Sequence, residues 1–182
     1  MPVAERWFFA LWPEPALRRA LLGRMPGWLP PGGRSAHGED LHLTLVFLGA
    51  LTSPQLDAVG AAVQRVAAPS FELVLDQLGH FARAGAAWCA PQQVPESLLA
   101  LQLALVEAQR VCGLTPEPRP YRPHLTLARR SAAPRAPFGA PLRWPVREFV
   151  LARSVPGCVP RYRVEQRWSL RPGYDLSMPP MR

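Results

Sequence analysis

The chain has 182 residues, 48% of them apolar, with 21 basic side chains, 13 acids and a formal net charge of +8. That length suits one compact domain or two tightly joined lobes, and the longest apolar runs fall well short of the ~20 residues a membrane span needs. Every basic side chain is arginine, so lysyl-adenylate transfer and Schiff-base chemistry, which need a side-chain amine, are excluded. Cys89, Cys112 and Cys158 lie far apart and suggest neither a disulfide framework nor a zinc cluster. The first dozen residues lack a signal peptide's order of basic, apolar and small regions, so a cytoplasmic protein is expected. From Arg119 to Arg171 the chain holds 12 arginines against Glu148 and Glu165, a local charge of +10, while the remainder carries −2. Such a field either steers a phosphate-rich ligand or is a solvated face.

The predicted elements follow in chain order. Arg6 to Trp12 reads as a buried strand. Pro13 and Pro15 open a helix with Leu17, Leu21 and Leu22 on one side, ending near Gly23. Pro26 to Asp40 reads as a loop, and Leu41 to Leu48 as a strand. Ser53 caps a helix with Pro54 at its first position, and Leu56, Val59, Val63 and Val66 form its apolar stripe. Phe71 to Leu78 and Ala86 to Ala90 read as strands. Pro95 opens a helix with Leu98, Leu101, Leu105 and Ala108 inward and Gly113 past its end. Thr115 to Pro123 is a Pro-rich loop, His124 to Ala128 a short strand, and Ser131 to Pro141 another loop. Val146 to Val155 and Arg163 to Leu170 suggest a hairpin around Gly157, followed by a tail at residues 171–182.

Comparison of the two halves shows a repeat. A strand around Phe8, a helix and a Pro/Gly/Arg loop lead to His42-Leu43-Thr44-Leu45. A strand around Trp88, a helix and a Pro/Arg loop lead to His124-Leu125-Thr126-Leu127. An internal duplication of this kind predicts an α+β fold with two lobes related by a pseudo-two-fold axis, each with a mostly antiparallel sheet flanked by helices, and a cleft between them.

Side chains at i and i+2 of a strand share a face. His42 and Thr44 therefore point one way while Leu43 and Leu45 point into the core, and His124 and Thr126 do the same against Leu125 and Leu127. By that alternation Phe47 belongs to the core, and only a bulge would turn it toward a ligand. Two opposed imidazoles suit in-line phosphoryl chemistry: one neutral, to accept a proton, and one charged, to give one. An unperturbed pKa of ~6.5 lets both states coexist near neutrality. Thr44 and Thr126 can hydrogen-bond phosphate oxygens, and Arg129, directly after the second motif, can neutralise charge growing there. Glu39 and Asp40 lie near His42 in sequence, but adjacent side chains on a strand point apart, so no metal-ligand cluster is expected. His37 reads as a surface residue and His80 as a structural one. Trp12 and Tyr121 either stack on bases or are simply packed.

At these residues the chain resembles the two-histidine (2H) phosphoesterases, and within them the RNA 2',3'-cyclic phosphodiesterases, also known as 2'-5' RNA ligases. HLTLVFLG, RPHLTLAR, the opening RWFFALWP and the closing RYRVEQRWSL carry the likeness, which covers nearly the whole chain as a single bilobal domain. The resemblance implies hydrolysis of an RNA 2',3'-cyclic phosphate end to a 2'-phosphomonoester, with no metal and no cofactor. It implies His42 as proton donor, His124 as proton acceptor, and Thr44 and Thr126 as phosphate ligands. It implies RNA as the partner; the short apolar runs argue against a membrane, and the absence of an obvious dimerising stripe suggests a monomer with no obligate protein partner. Rival readings are ATP-independent 2'-5' joining or hydrolysis of a small cyclic nucleotide at the same site, and a non-catalytic RNA-binding protein.

Overall fold

The structure is a computed structural model that describes residues 5–172. Apolar strands alternate with three amphipathic helices in the order β1 (Trp7–Leu11), α1 (Pro15–Trp28), β2 (Arg34–Ser35), β3 (Leu43–Gly49), α2 (Ser53–Val63), β4 (Phe71–Leu75), β5 (Gln77–Phe81), β6 (Ala86–Ala90), α3 (Glu96–Val111), β7 (Leu125–Arg129), β8 (Leu142–Val146), β9 (Glu148–Ser154) and β10 (Tyr162–Ser169). The main sheet runs β10-β9-β1-β3-β7-β6-β5, with the short β2 also on β7, and β4 pairs with β8 in a separate ribbon. These strand pairings are antiparallel. The fold is α+β as the repeat predicts. The sheets of the two halves are joined where β3 meets β7 at the centre, Leu43 opposite Leu125, and again where β2 pairs with β7.

Burial explains the helices. Leu98, Leu101 and Leu105 of α3 are fully buried at helical spacing. In α1 the buried set is Leu17, Leu21, Met25 and Trp28, so the helix runs past Gly23 and through Pro26, while Leu22 lies exposed. Packing of Met25 and Trp28 overrides the local stop signals there. Thr52, rather than Ser53, caps α2, through a reciprocal capping box with Gln55.

The strand predicted over residues 71–78 divides at Asp76 into β4 and β5, which belong to different sheets. The Asp76 carboxylate accepts from the Gln92 N–H at 2.7 Å, bracing the break. Strand β8 escapes a sequence reading because Pro145 interrupts it; the strand lies on the edge of a ribbon, where proline is tolerated. The predicted hairpin forms from β9 and β10, with Gly157 in its loop at φ 79°. The expected tail lies, from residue 173, outside the described residues. Among those described, no helix is long and apolar enough to cross a membrane.

Gly79 shows how closely β5 packs on β6. It lies opposite Trp88, and a Cβ there would sit 2.1 Å from the indole. Gly79→Ala should therefore destabilise the fold by about 1–3 kcal/mol, the usual range for overpacking. Urea unfolding measures it, and an unchanged midpoint would show that the indole moves freely.

Candidate active site

Both predicted motifs begin one residue outside a strand: β3 starts at Leu43 and β7 at Leu125. Leu43 and Leu125 are Cα partners and fully buried. In an antiparallel register their neighbours share the opposite face. That register sets His42 against Thr126 and Thr44 against His124. All four are half-buried, so two imidazoles and two hydroxyls meet above one leucine pair.

Each histidine is locked in the same way. His42 Nδ1 lies 2.6 Å from the Asp40 carbonyl, and His124 Nδ1 lies 2.7 Å from the Arg122 carbonyl. A carbonyl only accepts, so Nδ1 carries the hydrogen in both rings. Each Nε2 is left with its lone pair, ready to take or return a proton. The Asp40 carboxylate in turn accepts from the backbone N–H groups of Arg161 and Tyr162, at 3.0 Å each, tying the approach to His42 onto the start of β10. Glu39 is drawn off to Arg18, and the His37 ring accepts from the Glu39 N–H. Among the described residues, no three His, Cys, Asp or Glu side chains are grouped to hold a metal ion.

Aromatic rings surround both imidazoles. Trp12 stacks on His42 at 5.2 Å and an interplanar angle of 11°, Phe8 lies 5.0 Å away, and Tyr162 meets it edge-on at 4.8 Å. Phe81 meets His124 edge-on at 4.9 Å, with Trp88 at 6.5 Å. Trp12 thus supports the ring of a histidine. The roles of Phe8 and Tyr162 escaped the sequence reading, because their contact with His42 joins three distant segments.

Burial in these cages lowers the pKa of His42 to about 4, against the raising effects of the Asp40 carbonyl and carboxylate. Burial also lowers His124, opposed by the Arg122 carbonyl. The positive charge of Arg129 depresses both, and His124 adds to the effect on His42. Arg129 and both histidines therefore converge. The coexistence of charged and neutral rings expected near neutrality does not hold for these side chains, because the cages desolvate both.

Matching β-bulges place Arg129. Along β1 and β3, Ala10 pairs with Thr44 but Phe9 with Val46, so Leu45 is an extra residue. Along β6 and β7, Trp88 pairs with Thr126 but Ala87 with Ala128, so Leu127 is extra. A bulge reverses the side-chain alternation beyond it. Phe47, opposite Phe8, consequently shares the face of Thr44, and Arg129, opposite Ala86, shares that of Thr126. Phe47 is 53% exposed, which corrects its placement in the core. The next residue, Arg130, is held at φ 50°, between a Gly85 carbonyl that accepts from Ser131 N–H and a His80 Nε2 that donates 2.8 Å to the Ser131 carbonyl. His80 is structural, as expected.

Ion pairs sort the charge. Arg119, Arg143, Arg147, Arg153 and Arg167 pair with Glu117, Glu72, Glu14, Glu5 with Glu165, and Glu148 respectively. Among the described residues, Arg34, Arg83, Arg122, Arg129 and Arg130 have no carboxylate partner. Five of the twelve arginines between Arg119 and Arg171 are thus paired with carboxylates.

The family model for the 2'-5' RNA ligase superfamily matches residues 14–156. The chain is 32% identical to an RNA 2',3'-cyclic phosphodiesterase of Escherichia coli, over 93% of this chain and 99% of that one. It is 36% identical to an enzyme of the same description from Thermus thermophilus, over 91% and 90%. The crystal structure of Escherichia coli LigT complexed with 3'-AMP superposes with a TM-score of 0.84 at 31% identity, over 93% of this chain and 99% of that one.

The two lowered histidines have a testable consequence. Both folded pKa values lie below the unfolded value of ~6.5, so at acid pH the unfolded chain binds more protons. Their stabilising contribution should be present above pH ~6.5, fall as the pH drops, and level off below about 4, the His42 value. Ring resonances followed by NMR should place His42 near 4 in the free protein, with added inorganic phosphate moving both histidines upward. A His42 midpoint at 6.5 would show that the cage is open to water.

Proposed function

Since the chain belongs to the 2'-5' RNA ligase superfamily, we propose that it hydrolyses RNA 2',3'-cyclic phosphate ends to 2'-phosphomonoesters, by acid–base catalysis between His42 and His124 and without a metal. The observation that carries this reading is the pair of Nδ1-locked imidazoles, each set against the other motif's threonine.

The chemistry follows from that arrangement. His124 Nε2 takes a proton from the water that attacks phosphorus. The bond from phosphorus to the 3' oxygen breaks, and His42 Nε2–H protonates the departing oxygen. The phosphate stays on the 2' oxygen. Thr44 and Thr126 donate to the non-bridging oxygens, and Arg129 balances the charge gathering on them. A bound phosphodiester anion also favours imidazolium, offsetting the desolvation of His42 when the proton is needed. A group with so low a pKa is a strong proton donor once charged. An RNA 5'-hydroxyl in place of water gives a 2'-5' linkage by the same steps, without ATP; in water, hydrolysis wins by mass action.

The direct test uses a short RNA ending in a 2',3'-cyclic phosphate, in excess EDTA. Wild type should convert it to the 2'-phosphate, and His42→Ala and His124→Ala should each lose roughly 10²–10⁴-fold in rate. Loss of activity with chelator, restored by zinc or manganese, would overturn the metal-free mechanism, and a 3'-phosphate product would overturn the assignment of the leaving oxygen. Salt-sensitive RNA binding with no turnover would favour the non-catalytic reading.

The phosphate ligands are tested separately. Arg129→Ala, and Thr44→Val combined with Thr126→Val, should each lower kcat by roughly 10²–10³-fold, with unchanged circular dichroism because the leucine faces remain. Wild-type kcat in either variant would remove those groups from the site.

A further inference from the structure

The short strand β2 has no part in the steps above, yet it carries a cation onto the reactive face. Strand β6 covers one edge of β7 from Leu125 to Arg129, so β2 and β3 share the other edge. Arg34 is the Cα partner of Arg129, and the Ala36 N–H continues the ladder by donating 2.8 Å to the Leu127 carbonyl. Gly33 and Ser131 close the far end. A Cβ on Gly33 would sit 2.9 Å from that of Ser131, so only glycine lets β2 approach so near.

Directly opposite residues share a face. Arg129 is on the face of Thr126, so Arg34 is there too. Three facing pairs therefore cross that face in order: Thr44 with His124, His42 with Thr126, and Arg34 with Arg129. Both arginines are exposed, and neither has a carboxylate partner among the described residues. Cβ atoms in such a pair lie about 4.5–5.5 Å apart, and like charges set opposite one another destabilise a sheet. An anion between the guanidiniums reverses the sign of that interaction.

The number of charges on the anion matters. A cyclic phosphodiester carries one. Once His124 has taken a proton from the attacking water, the phosphoryl group carries a second, until the 3' oxygen leaves with a proton from His42. The monoester product regains its second charge above pH ~6, by losing its remaining proton to solvent. Resting on the cyclic-phosphate reading, we propose that Arg34 and Arg129 form a two-guanidinium clamp for the doubly charged phosphoryl group. The site then holds a phosphomonoester dianion more tightly than a phosphodiester, and its own 2'-phosphate product inhibits it.

The experiment titrates the protein at about pH 7.5 with methyl phosphate, a monoester dianion, and with dimethyl phosphate, a diester monoanion, following the histidine ring resonances. Wild type should bind methyl phosphate about tenfold or more tightly, the scale of one charge-assisted hydrogen bond. Arg34→Gln should bring the two affinities close to equal and raise the inhibition constant of adenosine 2'-phosphate about tenfold, whereas Arg34→Lys, which keeps the charge, should retain most of the preference. Without ligand, Arg34→Gln should melt no lower than wild type, because it removes a repulsion and leaves the backbone ladder of β2 in place. Equal affinities in wild type would overturn the proposal, as would a preference that survives Arg34→Gln. A lower melting temperature for that variant without ligand would make Arg34 a structural residue and overturn it as well. A preference for the monoester with no turnover of a cyclic phosphate would instead strike the reading beneath the proposal and leave the clamp standing.

Discussion

The site depends on one backbone pairing. Leu43 and Leu125 are each other's only registered partners where β3 meets β7, and both are fully buried. They join the halves of the molecule and fix the relative position of the two motifs. An antiparallel pair with a leucine at its centre must present the residues on either side to the opposite face. Four polar side chains from positions 82 residues apart thereby gather at one place, each histidine beside the other half's threonine. A displacement of one residue in that register would bury the imidazoles and expose the leucines.

The duplication also repeats its irregularities. An extra leucine, Leu45 in one half and Leu127 in the other, bulges out of each pairing at the same distance from its histidine. Each bulge turns the residue two places later onto the polar face. In the first half that residue is Phe47 and in the second it is Arg129. One scaffold thus supplies a guanidinium on one side of the reaction centre and an aromatic ring on the other. The histidine supports diverge in the same way, with Trp12, Phe8 and Tyr162 around His42 but Phe81 and Trp88 around His124.

Desolvation and charge act against each other at these rings. Enclosure lowers both histidines, Arg129 lowers them further, and the carbonyls of Asp40 and Arg122 pull the other way. Enclosure is the largest of these effects. Under the proposed mechanism a phosphodiester would add negative charge beside these rings, so the substrate would help to set the protonation state that its own reaction uses. Among the described residues Arg129, whose charge acts on both histidines, has no carboxylate partner.

The sequence by itself determined the α+β character, the repeated His-x-Thr motifs and the identity of both buried leucine pairs. These are local matters of periodicity and composition, and a duplication makes them visible twice. It also marked α3 through Leu98, Leu101, Leu105 and Ala108, whose spacing leaves one helical face to bury. Only the tertiary structure decided that α1 continues past Gly23 and Pro26, because Met25 and Trp28 find a core that local signals do not encode. Only the structure set Phe47 and Arg129 on the reactive face, since a bulge is a property of two paired strands and strict alternation within one strand predicts the reverse. The acidity of the histidines was likewise beyond a sequence reading: the rings that exclude water from His42 come from β1, the segment after it and β10, and their effect exists only once those elements pack together.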